Sequence, residues 1–429
     1  MLILKKTFIF SCLFKEDFLR VHQELNKERS KMGFLEFVTL TAVMQSMTAL
    51  TIDAMLPALP EIGRDLSTSH PNDVQLVILI MLLGFGLGQI LYGPVSDSIG
   101  RKPPIYVGFA IYVLGGLVCI FSQTLFIMLC GRFLQGVGIA SPRIVMNAVI
   151  RDRFKGAEMA RVMSFVMAVF ILIPVIAPSI GQLILIFFNW QAIFWMFLLF
   201  SVLVLTWFSI RLPETLLPLN RKVFSLHITL EGVVEVIRTR TALGYTLATG
   251  FLFSPFVGYL SSAQQIFADG YGKKDEFPLL FASLALTFGV ASLVNARLVY
   301  RFGLRKLCFA SAAVITGLST IFLFGILWME KMPSLWLFMA FMMVVFPGIA
   351  FLFGNLNALA MEPLGHIAGV GAAVIGSLSS LISIPLGIVI ARAFNGTVLP
   401  LVTGFAICGL AVLFSIIWAE KTSLSFYRF

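Results

Sequence analysis

Twelve apolar runs, each close to the length of a bilayer crossing, leave this chain few folds to choose from. They fall at 34–59, 74–95, 104–122, 125–149, 161–186, 190–210, 242–267, 277–300, 306–328, 334–357, 367–391 and 397–418. About 20 mostly apolar residues cross about 30 Å of hydrocarbon, and a spanning segment must satisfy its own backbone hydrogen bonds. The runs therefore read as helices of an all-α polytopic membrane protein. Composition agrees: mean hydropathy is +0.96 and 12% of the residues are charged, about half the share of a soluble domain.

The net charge of +10 could suggest nucleic acid, but its placement does not. With both termini inside, 24 of the 31 Lys and Arg fall in internal segments, five fall outside and two, Arg132 and Arg143, lie within a span. That is the positive-inside bias, and it sets both termini in the cytoplasm. The expected partners are the lipid bilayer, a small-molecule substrate and protons, with no nucleic acid.

The longest polar internal stretch, residues 211–240, separates two sets of six spans and has room for a short amphipathic helix at the membrane surface. The expected organisation is an N-terminal extension at 1–33, a six-helix bundle at 34–210, the central loop, a second six-helix bundle at 241–419 and a tail at 420–429. The extension lacks a small-residue cleavage site after a proper apolar core, so it is not read as a signal peptide. Met32 would give a usual short lead into the first span, and residues 1–31 are expected to be dispensable. The five cysteines show no CxxC or Cys/His ligand spacing, so neither a metal nor a disulfide framework is expected. The four histidines fall in loops or at span ends, and no catalytic motif is found. No enzyme activity and no cofactor is expected.

Polar residues at membrane depth carry the functional information. Asp53 is the one carboxylate these spans place well inside the membrane, where a charged side chain costs about 2.5–3.5 kcal/mol even on lenient scales. It is read as a proton-coupling group, or else as a carboxylate hydrated at the outer edge or fixed to an Arg. On the fourth span Arg132, Gln135, Arg143 and Asn147 lie within about 60° of one line, so that face must meet a cavity or partner helices. With Gln45, and with Ser261 and Gln265 on the seventh span, they are the candidate substrate-cavity residues. Pro174, Pro178 and Gly181 share a face of the fifth span and would permit a kink and close helix approach.

Several motifs point to one family. Residues 93–103 read GPVSDSIGRKP, a Gly-Pro turn with an acid and a basic cluster. They resemble the loop between the second and third helices of major facilitator superfamily transporters, roughly G-x-x-x-D-x-x-G-R-(K or R)-P, and Gly93, Asp97, Gly100, Arg101 and Lys102 match it, with Pro103. Residues 51–60 resemble the TDxYLPALP segment of twelve-span drug/proton antiporters of the Bcr/CflA group, although Met55 stands for the usual Tyr. Arg132-Phe-Leu-Gln135-Gly-Val-Gly138, the Arg151-Asp152 pair in AVIRDRF, the Pro-x-x-Gly core at 178–181, Leu212-Pro-Glu-Thr215 and Glu362-Pro-Leu-Gly-His366 match further segments.

The resemblance implies two pseudo-symmetric six-helix bundles around a midplane cavity and proton-driven efflux of lipophilic, often cationic drugs across a bacterial inner membrane by a monomer. It implies that Arg132, beside Asp53, takes part in proton coupling. Both fall in the outer half of the membrane, so the expectation is a charge pair between them. That pair is either broken on protonation or substrate entry or kept as a permanent buried bridge. Gly93, Asp97, Gly100, Arg101 and Lys102 would form a conformational latch, Pro174, Pro178 and Gly181 the antiporter helix motif, and Arg151 and Asp152 a cytoplasmic gate. Gly303-Leu-Arg305-Lys306 echoes the latch 203 residues later with Tyr300 in the place of Asp97, so the second copy is expected to lack its acid. The alternative reading is proton-coupled transport of a specific metabolite, an organic anion among the candidates, since the Arg132/Arg143 face suits a negative charge.

Overall fold

The computed structural model describes residues 32–68, 70–221 and 226–420; the expectations for residues 1–31 and most of the tail lie outside them. The described residues hold fourteen α-helices and no strands. Helices α1 (Phe34–Asp53), α2 (Leu59–Asp65), α3 (Leu76–Ile99), α4 (Lys102–Ile120), α5 (Leu125–Arg153), α6 (Gly156–Phe187) and α7 (Gln191–Arg211) form the first half. Helix α8 (Leu226–Arg238) lies in the central loop. The second half comprises α9 (Arg240–Gln265), α10 (Phe277–Phe302), α11 (Leu304–Met329), α12 (Leu335–Met361), α13 (Ala368–Arg392) and α14 (Leu399–Glu420). All but α8 belong to twelve segments long and apolar enough to span a bilayer, α1 and α2 sharing the first.

Two boundaries differ from the sequence reading. The first run breaks early: α1 ends at Asp53 and the chain passes through a 3-10 turn, Leu56–Ala58, into α2. Pro57 has no N–H to offer the Asp53 carbonyl four residues back, which is why the helix stops there. The supposed turn at Gly93-Pro94 is instead helical, because α3 runs through Pro94 to Ile99. The reversal falls at Gly100, whose φ is +107°, and its counterpart between α10 and α11 falls at Gly303, with φ +80°.

In the first half α5 packs on α3 and α4, α1 on α6, and α4 on α7. In the second, α9 contacts α12, α13 and α14, while α10 and α11 both pack on α12. Lipid tails are as apolar as Leu, so close backbone approach rather than solvent exclusion binds such helices. Helix α5 is the hub. A Cβ on Gly136 would lie 1.9 Å from the Met81 carbonyl oxygen of α3, and one on Gly84 of α3 would lie 2.2 Å from the Phe133 oxygen of α5.

The halves meet along two helix pairs, α3 with α13 and α6 with α10. The first is lined by small groups: Ser377 Oγ donates to Gly86 O at 2.7 Å, and Ser380 lies against Gly86. At the end of the molecule opposite Gly100, polar bonds clamp the halves together. Asn72 donates to the carbonyls of Arg392 and Phe394 at 2.9 and 2.7 Å, Arg392 pairs with Asp73, Gln75 donates to Gln265, and Gln265 donates to Pro71 O at 3.0 Å.

Gly136→Val should force α3 and α5 apart. Overpacking of this kind costs about 1–3 kcal/mol or more, so the detergent-solubilised variant should lose most of its folded yield in size-exclusion chromatography. Gly317→Ala, where nothing lies within 4 Å of an added Cβ, should match the parent.

Candidate functional site

The helix break leaves Asp53 at the end of α1, buried at 4% exposure. Helix α6 closes over this break through Gly181, where a Cβ would lie 1.8 Å from the Ala54 carbonyl oxygen. Pro178 and Gly181 are both buried and Pro174 half-buried within an unbroken α6, so close approach is what the motif achieves here. Among the described residues Asp53 has no hydrogen-bond or ion-pair partner.

Arg132 does not pair with Asp53, which corrects the sequence expectation. The guanidinium is wholly buried and is taken up by other groups. Its Nε donates to Val77 O at 2.9 Å, Nη1 to Gln135 Oε1 at 2.9 Å and Nη2 to Thr51 O at 3.4 Å, while Met81 Sδ lies at 2.9 Å. The Phe194 ring covers it at 5.9 Å. Five fixed donors suit Arg to such a set of oxygens. Arg132 and Gln135 therefore join α5 to α1 and α3 inside the first bundle, and both are fully buried. Thr51 contributes twice, since its hydroxyl meets the Tyr112 hydroxyl at 2.8 Å.

The other half of the α5 stripe forms a separate cluster. Gln45 Nε2 donates to Asn147 Oδ1 at 3.0 Å and accepts from Arg143 Nη1 at 3.3 Å, and Arg143 lies 4.7 Å from the Phe170 ring centre. Gln45 is buried while Arg143 and Asn147 are half-buried. Gln45, Arg143 and Asn147 are thus brought together as expected. Ser261 and Gln265 are not with them: Ser261 bonds the carbonyls of Val257 and Gly258 in its own helix, and Gln265 belongs to the clamp.

At the Gly100 end the motif residues form a knot. Arg101, 5% exposed, bonds Asp97 at 2.5 Å, Asp152 at 2.8 and 3.2 Å and Ser96 Oγ at 3.0 Å. Burial pulls its pKa down, but hydrogen bonds and charges from Asp152 and Asp97 outweigh that and hold it above the ordinary value. Glu214 accepts from the backbone N–H groups of Arg101, Lys102, Thr215 and Leu216, all at 2.9–3.0 Å. Lys102 Nζ donates to Ser209 O at 3.1 Å. Gly93 sits at the α3–α13 contact instead, with Ala373 4.0 Å from where its Cβ would be. Asp152 is part of the knot, while Arg151 beside it is exposed.

The sequence match to the Major Facilitator Superfamily model spans residues 41–388. The chain belongs to the major facilitator superfamily. The bicyclomycin resistance protein homolog of Haemophilus influenzae is 29% identical, with 89% of this chain and 94% of that protein covered. The multidrug resistance protein MdtL of Escherichia coli is 26% identical over 76% of this chain and 80% of its own. The crystal structure of a D-xylose-proton symporter superposes at a TM-score of 0.70 with 13% identity, covering 91% of this chain and 98% of the symporter. The major facilitator fold expected from the motifs is thereby established, as is a multi-pass membrane protein.

The second copy of the knot has Tyr300 in the place of Asp97 but draws acids from elsewhere in the fold: Arg305 pairs with Glu362 at 2.8 Å and Glu420 at 3.0 Å. These come from the ends of α12 and α14, as Asp152 and Glu214 come from the ends of α5 and α7. Tyr300 itself is 96% exposed. Sequence reading also missed Glu214 as the acceptor for the α4 N-terminus and missed the whole Asn72–Gln75 clamp. A short aligned motif signals the first, whereas nothing local signals the second. Phe253, Phe256, Phe288, Phe346 and Phe353 form one contacting aromatic group in the second half.

Two outcomes are expected. Glu214→Ala, leaving the Arg101 and Lys102 N–H groups without their acceptor, should cost about 2 kcal/mol and lower the detergent melting midpoint by several degrees. Arg132→Lys offers one point charge for a fixed fork and should destabilise by about 2–3 kcal/mol, read in the same thermal assay.

Proposed function

We propose that this chain is a proton-coupled exporter of lipophilic, often cationic compounds that works by alternating access. The observation carrying this reading is Asp53: a buried carboxylate at a helix break, with no partner among the described residues. A charge at membrane depth is normally met by a partner. Here a proton or a cationic substrate can supply the missing positive charge, and competition between them is the logic of an antiporter. Relatives named for bicyclomycin and multidrug resistance support efflux as the direction.

In this reading the proton gradient is the energy source, and the chain works as a monomer in a bacterial inner membrane with both termini cytoplasmic. It performs no covalent chemistry. Arg132 contributes by fixing the Thr51 carbonyl, two residues from Asp53, rather than by meeting the carboxylate. Gln45, Arg143 and Asn147 would provide the polar part of the substrate path. The two halves rock about the α3–α13 and α6–α10 contacts. The clamp at Asp73 holds the external end shut, and the Arg101 knot with Asp152, beside Arg151, serves as the internal gate.

A second reading rests on Arg143, whose guanidinium meets an amide and an aromatic ring but, among the described residues, no carboxylate. That leaves it suited to an anion, and an organic-anion transporter would use it.

Reconstituted in liposomes, the protein should move protons when tetraphenylphosphonium is added, and Asp53→Asn should abolish that movement by at least about ten-fold. Flux that survives the substitution would remove Asp53 from the mechanism. A response to organic anions alone, lost in Arg143→Gln, would favour the second reading.

A further inference from the structure

A cleft of about 590 Å³ lies at the Gly303 reversal between α10 and α11, apart from every residue given a role in transport. Phe302, Leu304 and Leu359 give it an apolar wall, and Arg305, Lys306 and Glu362 stand along it. It opens at the ends of three spanning helices, α10, α11 and α12, the level at which headgroups meet acyl chains. Phe302 is exposed, as are Phe309, Val314 and Ile321 further along α11.

The charges around the cleft do not cancel locally. Arg305 holds both nearby acids, Glu362 at 2.8 Å and Glu420 at 3.0 Å. Lys306 and Arg301 are exposed and pair with no carboxylate among the described residues. The Arg301 guanidinium lies 5.3 Å from the centre of the Phe302 ring, beside the cleft wall.

The matching place in the first half is filled. There α4 begins after Gly100 as α11 begins after Gly303, and the Glu214 carboxylate accepts from the N–H groups of Arg101 and Lys102 at 2.9 and 3.0 Å. In the second half Glu362 and Glu420 turn to the Arg305 side chain instead. The N–H groups of Leu304 and Lys306 meet no acceptor among the described residues. One copy of the turn thus carries its own anion, and the other has an open cleft and two uncompensated cations.

We propose that this cleft binds an anionic phospholipid of the adjacent leaflet. The phosphate sits at the start of α11, where N–H groups and the helix dipole favour an anion, between Lys306 and Arg301. An acyl chain runs over Phe302 and Leu359. Free phosphate shares the headgroup chemistry but has nothing to lay on the apolar wall. Basic pockets between spanning helices on the cytoplasmic side take such headgroups, and the orientation proposed above puts this end there. The inference takes only that orientation from the proposed function. Binding is read in detergent without transport, so either can fail alone.

The test is native mass spectrometry of the purified full chain, titrated with dioleoylphosphatidylglycerol or dioleoylphosphatidylcholine. One phosphatidylglycerol should bind about ten-fold tighter than phosphatidylcholine, and Arg301→Gln with Lys306→Gln should erase that preference. Ala358→Trp fills the cleft from an exposed position and leaves every charge in place. It should weaken phosphatidylglycerol by a similar factor. Lys273→Gln with Lys274→Gln, an equal loss of charge in the loop between α9 and α10, should change nothing. Equal affinity for the two lipids in the parent would overturn the inference, and so would a preference kept in either the Arg301/Lys306 pair or Ala358→Trp. Displacement of the lipid by millimolar inorganic phosphate would also overturn it, since free phosphate would then be the ligand. If the paired variant does not fold, Lys306→Gln alone takes its place.

Discussion

The buried guanidinium of Arg132 organises the first half. At membrane depth no water competes for its donors, so oxygens must be delivered by neighbouring helices. Those oxygens are the Val77 carbonyl of α3, the Thr51 carbonyl of α1 and the Gln135 side chain of α5. One side chain thus sets the positions of three helices at the same depth. The glycine contacts between α3 and α5 allow that approach, because a bulkier residue at Gly136 or Gly84 would hold the carbonyls out of reach. Removing the charge would strand these oxygens, and moving it by half a turn would point it at lipid.

Pro57 makes the second decision. By ending α1 at Asp53 it places the carboxylate where regular helix packing gives way to a 3-10 turn. Irregular backbone at membrane depth survives only where protein covers it, and α6 provides that cover through Gly181. The acid, the proline four residues on and the distant glycine therefore make one local arrangement.

Much of this was legible in the sequence. Run length and the distribution of Lys and Arg reveal the spans, and the matched motifs mark Asp53, Arg132, Arg101 and Asp152 as residues of consequence. Partner choice was not legible. Arg132 ended among backbone carbonyls, which every residue carries and no sequence pattern advertises. Gln265 shares a helical face with Ser261, yet it lies at the end of α9, where the turn before α3 of the other half supplies Gln75. The acids of the second knot were missed because a fixed offset assumes that a repeat conserves positions. Arg305 instead draws its carboxylates from two other helix ends, at Glu362 and Glu420.

The α3–α13 contact has a mechanical consequence. Interlocked Leu and Ile side chains make a geared surface, where motion must lift ridges out of grooves. Between α3 and α13, Gly86 meets Ser377 and Ser380, and the bond between them is a hydroxyl on a carbonyl. Such a bond can be handed to a neighbouring carbonyl without separating the helices. The surface behaves as a smooth bearing, with shallow minima along its length. One half can therefore swing on the other while the contact itself stays closed to lipid.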